Sequence, residues 1–559
     1  EAVAHALKAQ DYVFAASVME QASRQLWLQG EAKTLASWVL LLPVATLQAH
    51  INFVLTVALN LLLSTSTMPE PQRMQALAQS EQIIARVESV SIDCDVEAEG
   101  ERLQSRISLL REFVVMGDAL RTGNILQVRE VAQRMQLLAR DEPVAWKWPA
   151  LYGLFVSAQL LGDAVLLLPN LLAMKLQALQ EQDRATVLVV MCWIAAAHLY
   201  AGNLRLLLQE CLHVQDLLAQ AGEPVAVAAY PAFDLSFLYY ARNQLEQAEA
   251  SLQVALQQAR RWQDMNLLVW GYAMNVRLLV AAGKMVEAEQ ALQQAQQLML
   301  QSGSMLHASD VAAAQVTLWL ARGDLSTATS WAAHCVFDPQ DYTRAEEYVV
   351  LAHVYLAQRR YAECLQLLEP LLSRMERFER HWDTIHLLAA QSVALYRLGE
   401  ITRAKQVAVH LLTLTEQEGH IRVYLDAGEP MRRVLQALHN EPHSEDAPLS
   451  ASCILYVSAL LTTFEQEGRR DVPQAAVPDK NTAIGKPVPP AQNPLATSLS
   501  PQEQRVLSLL VAGRTYAEMA QELVVSLNTI KTQVSSIYRK LDVSRRAEAS
   551  VVAQQLHLL

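Results

Sequence analysis

The stretch "SLNTIKTQVSSIYRKL", residues 526–541, sets Asn528, Thr529, Lys531, Thr532, Ser535, Arg539 and Lys540 within thirteen positions. Ammonium and guanidinium groups attract phosphate, lysine also reaches guanine O6 and N7, and hydroxyls bond to bases or phosphates. Ile530, Val534, Ile537 and Leu541 recur in the same stretch at i, i+4, i+7 and i+11. That is one apolar stripe of a helix, and it must face a core. Lys531, Thr532, Ser535 and Arg539 then fall together on the other side. Between 526 and 546 five basic residues, Arg545 and Arg546 among them, stand against Asp542 alone, a net of +4. The chemistry offered is recognition of a polyanion.

No catalytic constellation competes with it. The phosphate-binding pattern GxxxxGK[ST] is absent, and "AGKM" and "IGKP" are fragments without the loop. No acid–base pair or activated nucleophile emerges, so the chain is not read as an enzyme. His381 and His386 are spaced i and i+5, which puts them on different helix faces and argues against a metal pair. No catalytic, cofactor or metal residue is assigned in this chain.

Four helices are predicted to position the basic stretch. Ser500 caps the first, with Pro501 at its start and Glu503 completing a capping box, and Gly513 ends it. Thr515 and Glu518 form a second capping box, Ser526 caps the third helix and Ser544 the fourth. Met519, Ala520 and Leu523 offer the second helix's partner face. Two short capped helices, the second with a donor-rich outer face, make a helix-turn-helix whose second helix lies in the major groove of double-stranded DNA. A plain solvated helix face is the alternative. Consecutive caps, local basic charge and a tether that lets the module dock weigh against it. On the fourth helix Ala549, Val552, Ala553 and Leu556 make a core stripe, leaving Val551 as a dimer contact on DNA.

The tether spans 469–498, with prolines at 473, 478, 487, 489, 490 and 494 and almost no large apolar residue. Such a stretch cannot form a core. Before it, residues 441–468 read as a terminal helical segment, and after it 499–559 as the basic module.

Residues 1–440 carry a beat of about forty. "YAGNLRLL", "YARNQLEQA", "AAGKMVEA", "ARGDLSTA", "AQRRYAEC" and "RLGEITRA" share a polar turn, a large apolar anchor and, in most copies, a small residue three positions later. The anchors are Leu204, Leu245, Met285, Leu325, Tyr361 and Ile401, with weaker copies at Ile125, Ala164 and Tyr12. Each beat fits two helices of about 14 to 18 residues, with Gly202, Gly283, Gly323 and Gly399 as helix stops. Ala248, Ala288, Ala328, Cys364 and Ala404 let the paired helix approach closely. The fold expected is all-α: a tetratricopeptide-like α-solenoid, a flexible tether and a four-helix helix-turn-helix domain. A solenoid offers a concave surface for a small-molecule or protein inducer. "FDLSFLYY" (233–240) and "HWDTIH" (381–386) could line it, although aromatics at helical spacing more often belong to a core.

Composition agrees with helices: 559 residues, 52% hydrophobic, with only 18 Gly and 20 Pro. The overall charge of −12 argues against broad wrapping on nucleic acid or anionic lipid. The apolar runs 51–63 and 187–197 are too short to cross a membrane and are expected to be buried helices. Six widely spaced cysteines with no CxxC pair read as reduced thiols of a cytoplasmic protein.

Residues 499–549 resemble the LuxR-type DNA-binding domain along its length, at Glu503, Val506, Leu507, Gly513, Glu518, Ala520, Leu523, Ser526, Thr529, Lys531, Ile537, Lys540, Leu541, Val543, Arg546 and Ala549. "GHIRVYLDAGEPMRRVL" (419–435) and the opening "EAVAHALKAQDYVFAASVMEQA" resemble the MalT-like subgroup of LuxR-family regulators. The resemblance implies that Lys531 and Thr532 face bases and that Thr529 and neighbouring basic residues hold phosphate. It also implies an inducer sensed by the solenoid, RNA polymerase as a further partner, and a dimer on DNA. ATP is expected only for an upstream signalling module of the STAND class, which this chain, starting at Glu1, lacks. Gln533 stands where the family usually has His, Ser535 where some members place a basic reader, and Asp542 where Gly is common, so base specificity does not carry over. Two alternatives stay open. One is a regulator that never had an ATPase. The other is a solenoid scaffold whose terminal helices bind protein, which would show no salt-sensitive duplex binding.

Overall fold

Each beat of the repeat opens a helix. Leu204, Leu245, Met285, Leu325, Tyr361 and Ile401 are the first residues of Leu204–Ala221, Leu245–Trp262, Met285–Ser302, Leu325–His334, Tyr361–Arg377 and Ile401–Thr415. The weaker anchors behave alike, starting the helices Tyr12–Leu28 and Ile125–Leu138 and the 3-10 turn Ala164–Leu167. The computed structural model describes residues 2–28, 30–65, 68–91, 97–221, 226–339, 341–441, 448–470 and 501–511, with 514, 519, 523, 530, 533 and 534. Every regular element among the described residues is helical. The chain divides into two units, Glu1–Pro473 and Gln474–Leu559.

One turn geometry builds the first unit. Two residues before each anchor φ is positive, at Gly123, Gly162, Gly202, Gly283, Gly323 and Gly399, and also at Gln10, Asn243 and Arg359. The next residue donates its N–H five positions back, as in Lys284 to Leu279, Asn203 to His198 and Arg360 to Tyr355, at 2.8 to 2.9 Å. This bond satisfies a carbonyl that the ending helix leaves open. Where glycine is replaced, the turn persists, because packing of the flanking helices outweighs the local strain of a side chain at positive φ.

The small residues make the helix pairs close. Ala248, Ala288, Ala328, Cys364 and Ala404 are all fully buried. On Leu245–Trp262 the buried set Ala248, Leu252, Ala255, Leu256 and Ala259 is a single helical stripe. The alternate helices, such as Ala229–Ala241 and Met265–Ala281, are buried over most of their circumference because they pack between neighbours. The anchors differ in burial: Ile125, Ala164 and Leu204 are buried, Tyr12, Leu245, Met285 and Tyr361 half-buried, and Leu325 and Ile401 36% and 39% exposed. The last two mark the helix start without filling the core. Leu325–His334 is also short at 10 residues. Cys335 is already extended, and Pro339 disfavours helix at the residue before it.

The solenoid winds until its late repeats meet its middle ones. Arg374 Nη2 donates to the Leu161 carbonyl at 3.0 Å, and Arg380 Nη1 to the Gln159 carbonyl at 2.5 Å, across 213 and 221 residues. Gly162 fits beneath Tyr342, where a Cβ would lie 2.9 Å from ring atoms. Further along the seam Ile421 N–H bonds to the Ala241 carbonyl at 2.7 Å and Tyr240 OH to Asp426 at 2.8 Å. Arg205 pairs with Glu418 at 3.2 Å, and Arg422 reaches Asp426, Asn243 and Glu467.

The runs 51–63 and 187–197 lie in the helices Ile51–Thr65 and Arg184–Tyr200, both largely buried. No described helix is long and apolar enough to cross a membrane. Cys192, Cys211, Cys364 and Cys453 are buried free thiols and Cys335 a half-buried one, while Cys94 lies outside the described residues. The helix Ala451–Arg470 packs through Cys453, Val457 and Leu460 onto the last repeats. It runs through Arg469 and Arg470, two residues into the stretch expected as tether, because nothing before Pro473 breaks it. The remainder, 471–498, lies outside the described residues.

In the second unit the helix Pro501–Val511 begins at the proline assigned to its first position. Its Val506, Leu507 and Leu510 are fully buried, as are Met519 and Ile530.

Gly283 isolates the cost of the repeated turn, since a Cβ there would meet nothing within 4 Å and φ is +74°. Gly283→Ala is expected to destabilise by about 1 to 2 kcal/mol through the backbone alone. Arg359→Gly, at φ +61°, is expected to shift the other way. Urea midpoints of both variants check the pair.

Candidate functional sites

The basic helix is positioned by its apolar side. Ile530 and Val534, one turn apart, are helical and 0% and 3% exposed, and Met519 of the preceding helix is buried as well. The Leu523 amide donates to the Met519 carbonyl at 3.0 Å, a helical bond that places Leu523 at the end of that preceding helix. Gln533, beside the stripe, is half-buried. Two of the four stripe positions are thus seated in a core, while Ile537 and Leu541 lie outside the described residues. Asn528, Thr529, Lys531, Thr532, Ser535, Arg539, Lys540, Arg545, Arg546 and Val551 lie outside them too.

A second site comes from the closed seam. A cavity of about 190 Å³ lies inside the first unit, bounded by the helices Val144–Leu161, Arg184–Tyr200, Ala229–Ala241, Met265–Ala281, Ala308–Ala321, Ala345–Ala357 and His381–Leu398. These are the alternate helices of successive repeats, so the solenoid's inner face is the wall. Tyr152, Trp193, Trp270 and Trp382 are among its lining residues. Trp193 stacks on Phe155 at 5.7 Å, and Trp270 on His307 at 5.3 Å with planes 11° apart. Rings fixed in this way present flat faces at little further entropy cost.

The wall also carries charge. Arg277 Nη2 lies 3.0 Å from Glu346 Oε2, and His307 Nδ1 3.2 Å from Asp310 Oδ2. Arg380 pairs with Asp383 and stands over the Tyr200 and Tyr342 rings at 4.3 and 5.2 Å. Asp234 differs from all of these. It is 4% exposed, and no hydrogen bond or ion pair holds its carboxyl among the described residues. Burial pushes its pKa up to about 8. Burial also raises the Tyr200 phenol and the Cys192 thiol, and it holds His386 well below the usual imidazole range. Water is thin here, and charge without a partner is costly.

The two aromatic phrases divide. Phe233 and Tyr240 are core residues, whereas Phe237 and Trp382 are buried and still line the cavity. Sequence reasoning missed Tyr152, Trp193, Trp270, Arg277 and Arg380, and it reached Asp234 only as part of an aromatic phrase. The available signal was a lone charge within an apolar run, as in "PAFDLSFL" and "MNVRLLV".

Residues 106–441 match the family described as the MalT-like TPR region, which covers more than half of the chain. The chain belongs to the MalT-like TPR family. Residues 497–553 match a second family, bacterial regulatory proteins of the luxR family. The first match begins at 106, so the opening stretch lies outside it. The chain is similar to the HTH-type transcriptional regulator MalT of Vibrio campbellii, 26% identical over 324 residues, or 56% of this chain and 34% of that protein. The corresponding regulator of Serratia proteamaculans is 24% identical over 57% of this chain and 35% of its own length. The transcriptional regulatory protein LiaR of Bacillus subtilis is 40% identical over 62 residues, 11% of this chain and 29% of that protein. The chain therefore spans about a third of the MalT relatives it matches.

The Asp234 carboxyl gives a pH-dependent prediction. Its folded pKa stands above the unfolded value near 3.8, so the protein favours the protonated form, and ionisation costs stability. The cost is absent below about pH 4 and grows as pH rises to about 8. Asp234→Asn is expected to raise the melting temperature more at pH 8 than at pH 5. An equal shift at both pH values would contradict the burial argument.

Proposed function

We propose that the chain is a DNA-binding transcriptional regulator in which the helical repeat region senses a signal and controls the C-terminal helix-turn-helix. The observation that carries this reading is the luxR-family match over 497–553, together with burial of Ile530 and Val534, two positions of the apolar stripe expected to face a core. Lys531 and Thr532 read base edges, with Asn528 and Ser535 beside them. Thr529, Arg539, Lys540, Arg545 and Arg546 hold phosphates. Val551 contributes to a dimer on DNA, which fits two half-sites related by the protein's two-fold axis. The aromatic-walled cavity supports a small-molecule inducer on the solenoid, and RNA polymerase is the partner through which a bound regulator acts.

Lys531→Ala is expected to cost about 1 to 3 kcal/mol on the specific site and little on random duplex. Neutralising Arg545 or Arg546 is expected to weaken every sequence alike and to lower the salt slope by about one. A base-edge hydrogen bond depends on sequence and a phosphate contact does not. Titration against specific and scrambled duplexes at several salt concentrations separates them. Equal losses for Lys531→Ala on both duplexes would make Lys531 a phosphate anchor and pass the reading role to Asn528, Thr532 or Ser535.

A further inference from the structure

The charges on the cavity wall do not balance. Glu346 answers Arg277 at 3.0 Å, Asp383 answers Arg380, and Asp310 is held by His307. Asp234 is left over: it lines the cavity and is 4% exposed. A buried carboxyl without a partner is a poor structural element, since an apolar residue of similar volume would remove the desolvation cost. Trp193, Trp270, Trp382 and Phe237 complete the surroundings. Ring faces attract cations and also cover an apolar body, and both effects strengthen where water is scarce.

We propose that this cavity binds a small organic cation, an amine or guanidine carried on an apolar or aromatic body, with Asp234 as its counter-ion and the tryptophans as its walls. The assignment rests on the reading of the solenoid as a sensor and gives that sensor's ligand a chemical class. A bound cation supplies the charge that Asp234 lacks, which keeps the carboxyl ionised where burial alone favours its protonated form. An anionic ligand would meet Asp234 without relief, because both cavity arginines already have carboxylate partners. A neutral ligand would meet the protonated carboxyl and gain no ion pair from it.

Calorimetric titration of the full chain tests this with butylamine, benzylamine and phenylethylamine, against phenylethanol and phenylacetate as neutral and anionic counterparts. At least one amine is expected to bind saturably at millimolar concentration or below, with phenylethanol and phenylacetate at least about tenfold weaker, as the loss of a charged hydrogen bond implies. Asp234→Asn, which keeps the shape and removes the charge, is expected to lose about tenfold or more for the amine. Trp193→Leu is expected to lose a few-fold. The proposal is overturned if none of the three amines binds, if phenylethanol binds as well as phenylethylamine, or if Asp234→Asn binds the amine as the parent does. Should Asp234→Asn fail to fold, unchanged amine affinity in Trp193→Leu overturns it as well. Duplex binding measured on the same preparations keeps the outcomes apart. Amine failure with duplex binding intact removes only the ligand class, whereas loss of duplex binding counts against the regulator reading.

Discussion

Arg380 is the hinge pin of the first unit. Its guanidinium is buried, and burying it alone would cost several kcal/mol. Asp383, the Gln159 carbonyl and the Tyr200 and Tyr342 rings offset that cost together. No subset would do so equally, because the carbonyl and the Tyr200 ring come from repeats some two hundred residues earlier. The arginine is therefore satisfied only when the solenoid has wound far enough to bring both ends of the turn together. Burial of the inner wall follows from that closure. Low solvent access in turn raises the Asp234 carboxyl and the Tyr200 phenol and lowers the His386 imidazole.

The local rule beneath the closure is simple and repeated. Positive φ two residues before each anchor, followed by an N–H bonded five positions back, ends one helix and aims the next. Repeat arrays of this kind are stabilised mainly by nearest neighbours. The seam adds long-range terms, with Arg374, Arg380, Ile421 and Arg422 each bonded to residues far back in the chain. An array that would otherwise fray repeat by repeat gains contacts that exist only when several repeats are formed at once. Turns are local. The cavity is not.

That difference explains what could be read from the sequence. Anchor positions, helix stops, buried small residues and the helix start at Pro501 are local patterns, and each appears where its spacing places it. Leu325 and Ile401 show the limit: an anchor fixes where a helix begins, while its burial depends on which repeat packs over it. Closure leaves no local signature, since Arg380 and Gln159 carry no pattern that pairs them. Asp234, Arg277 and Glu346 were visible as charges in apolar helices, but their convergence on one cavity requires the superhelical winding. For the C-terminal module the reverse holds. Its apolar stripe and caps point to the fold, and Ile530, Val534 and Met519 are buried accordingly, while base specificity depends on side chains whose family pattern departs at Gln533 and Ser535.

Closure is the central claim, and one amide reports on it directly. Ile421 stands at the start of the short helix Arg422–Asp426, where a backbone N–H has no acceptor within its own helix. Its bond to the Ala241 carbonyl, 2.7 Å away across the seam, forms only when the turn is closed. Residue-resolved hydrogen exchange should show the Ile421 amide protected to the level of the core amides of Met265–Ala281. Exchange at the rate of an unprotected helix-start amide would mean that the solenoid stands open and that the cavity does not exist in this form in solution.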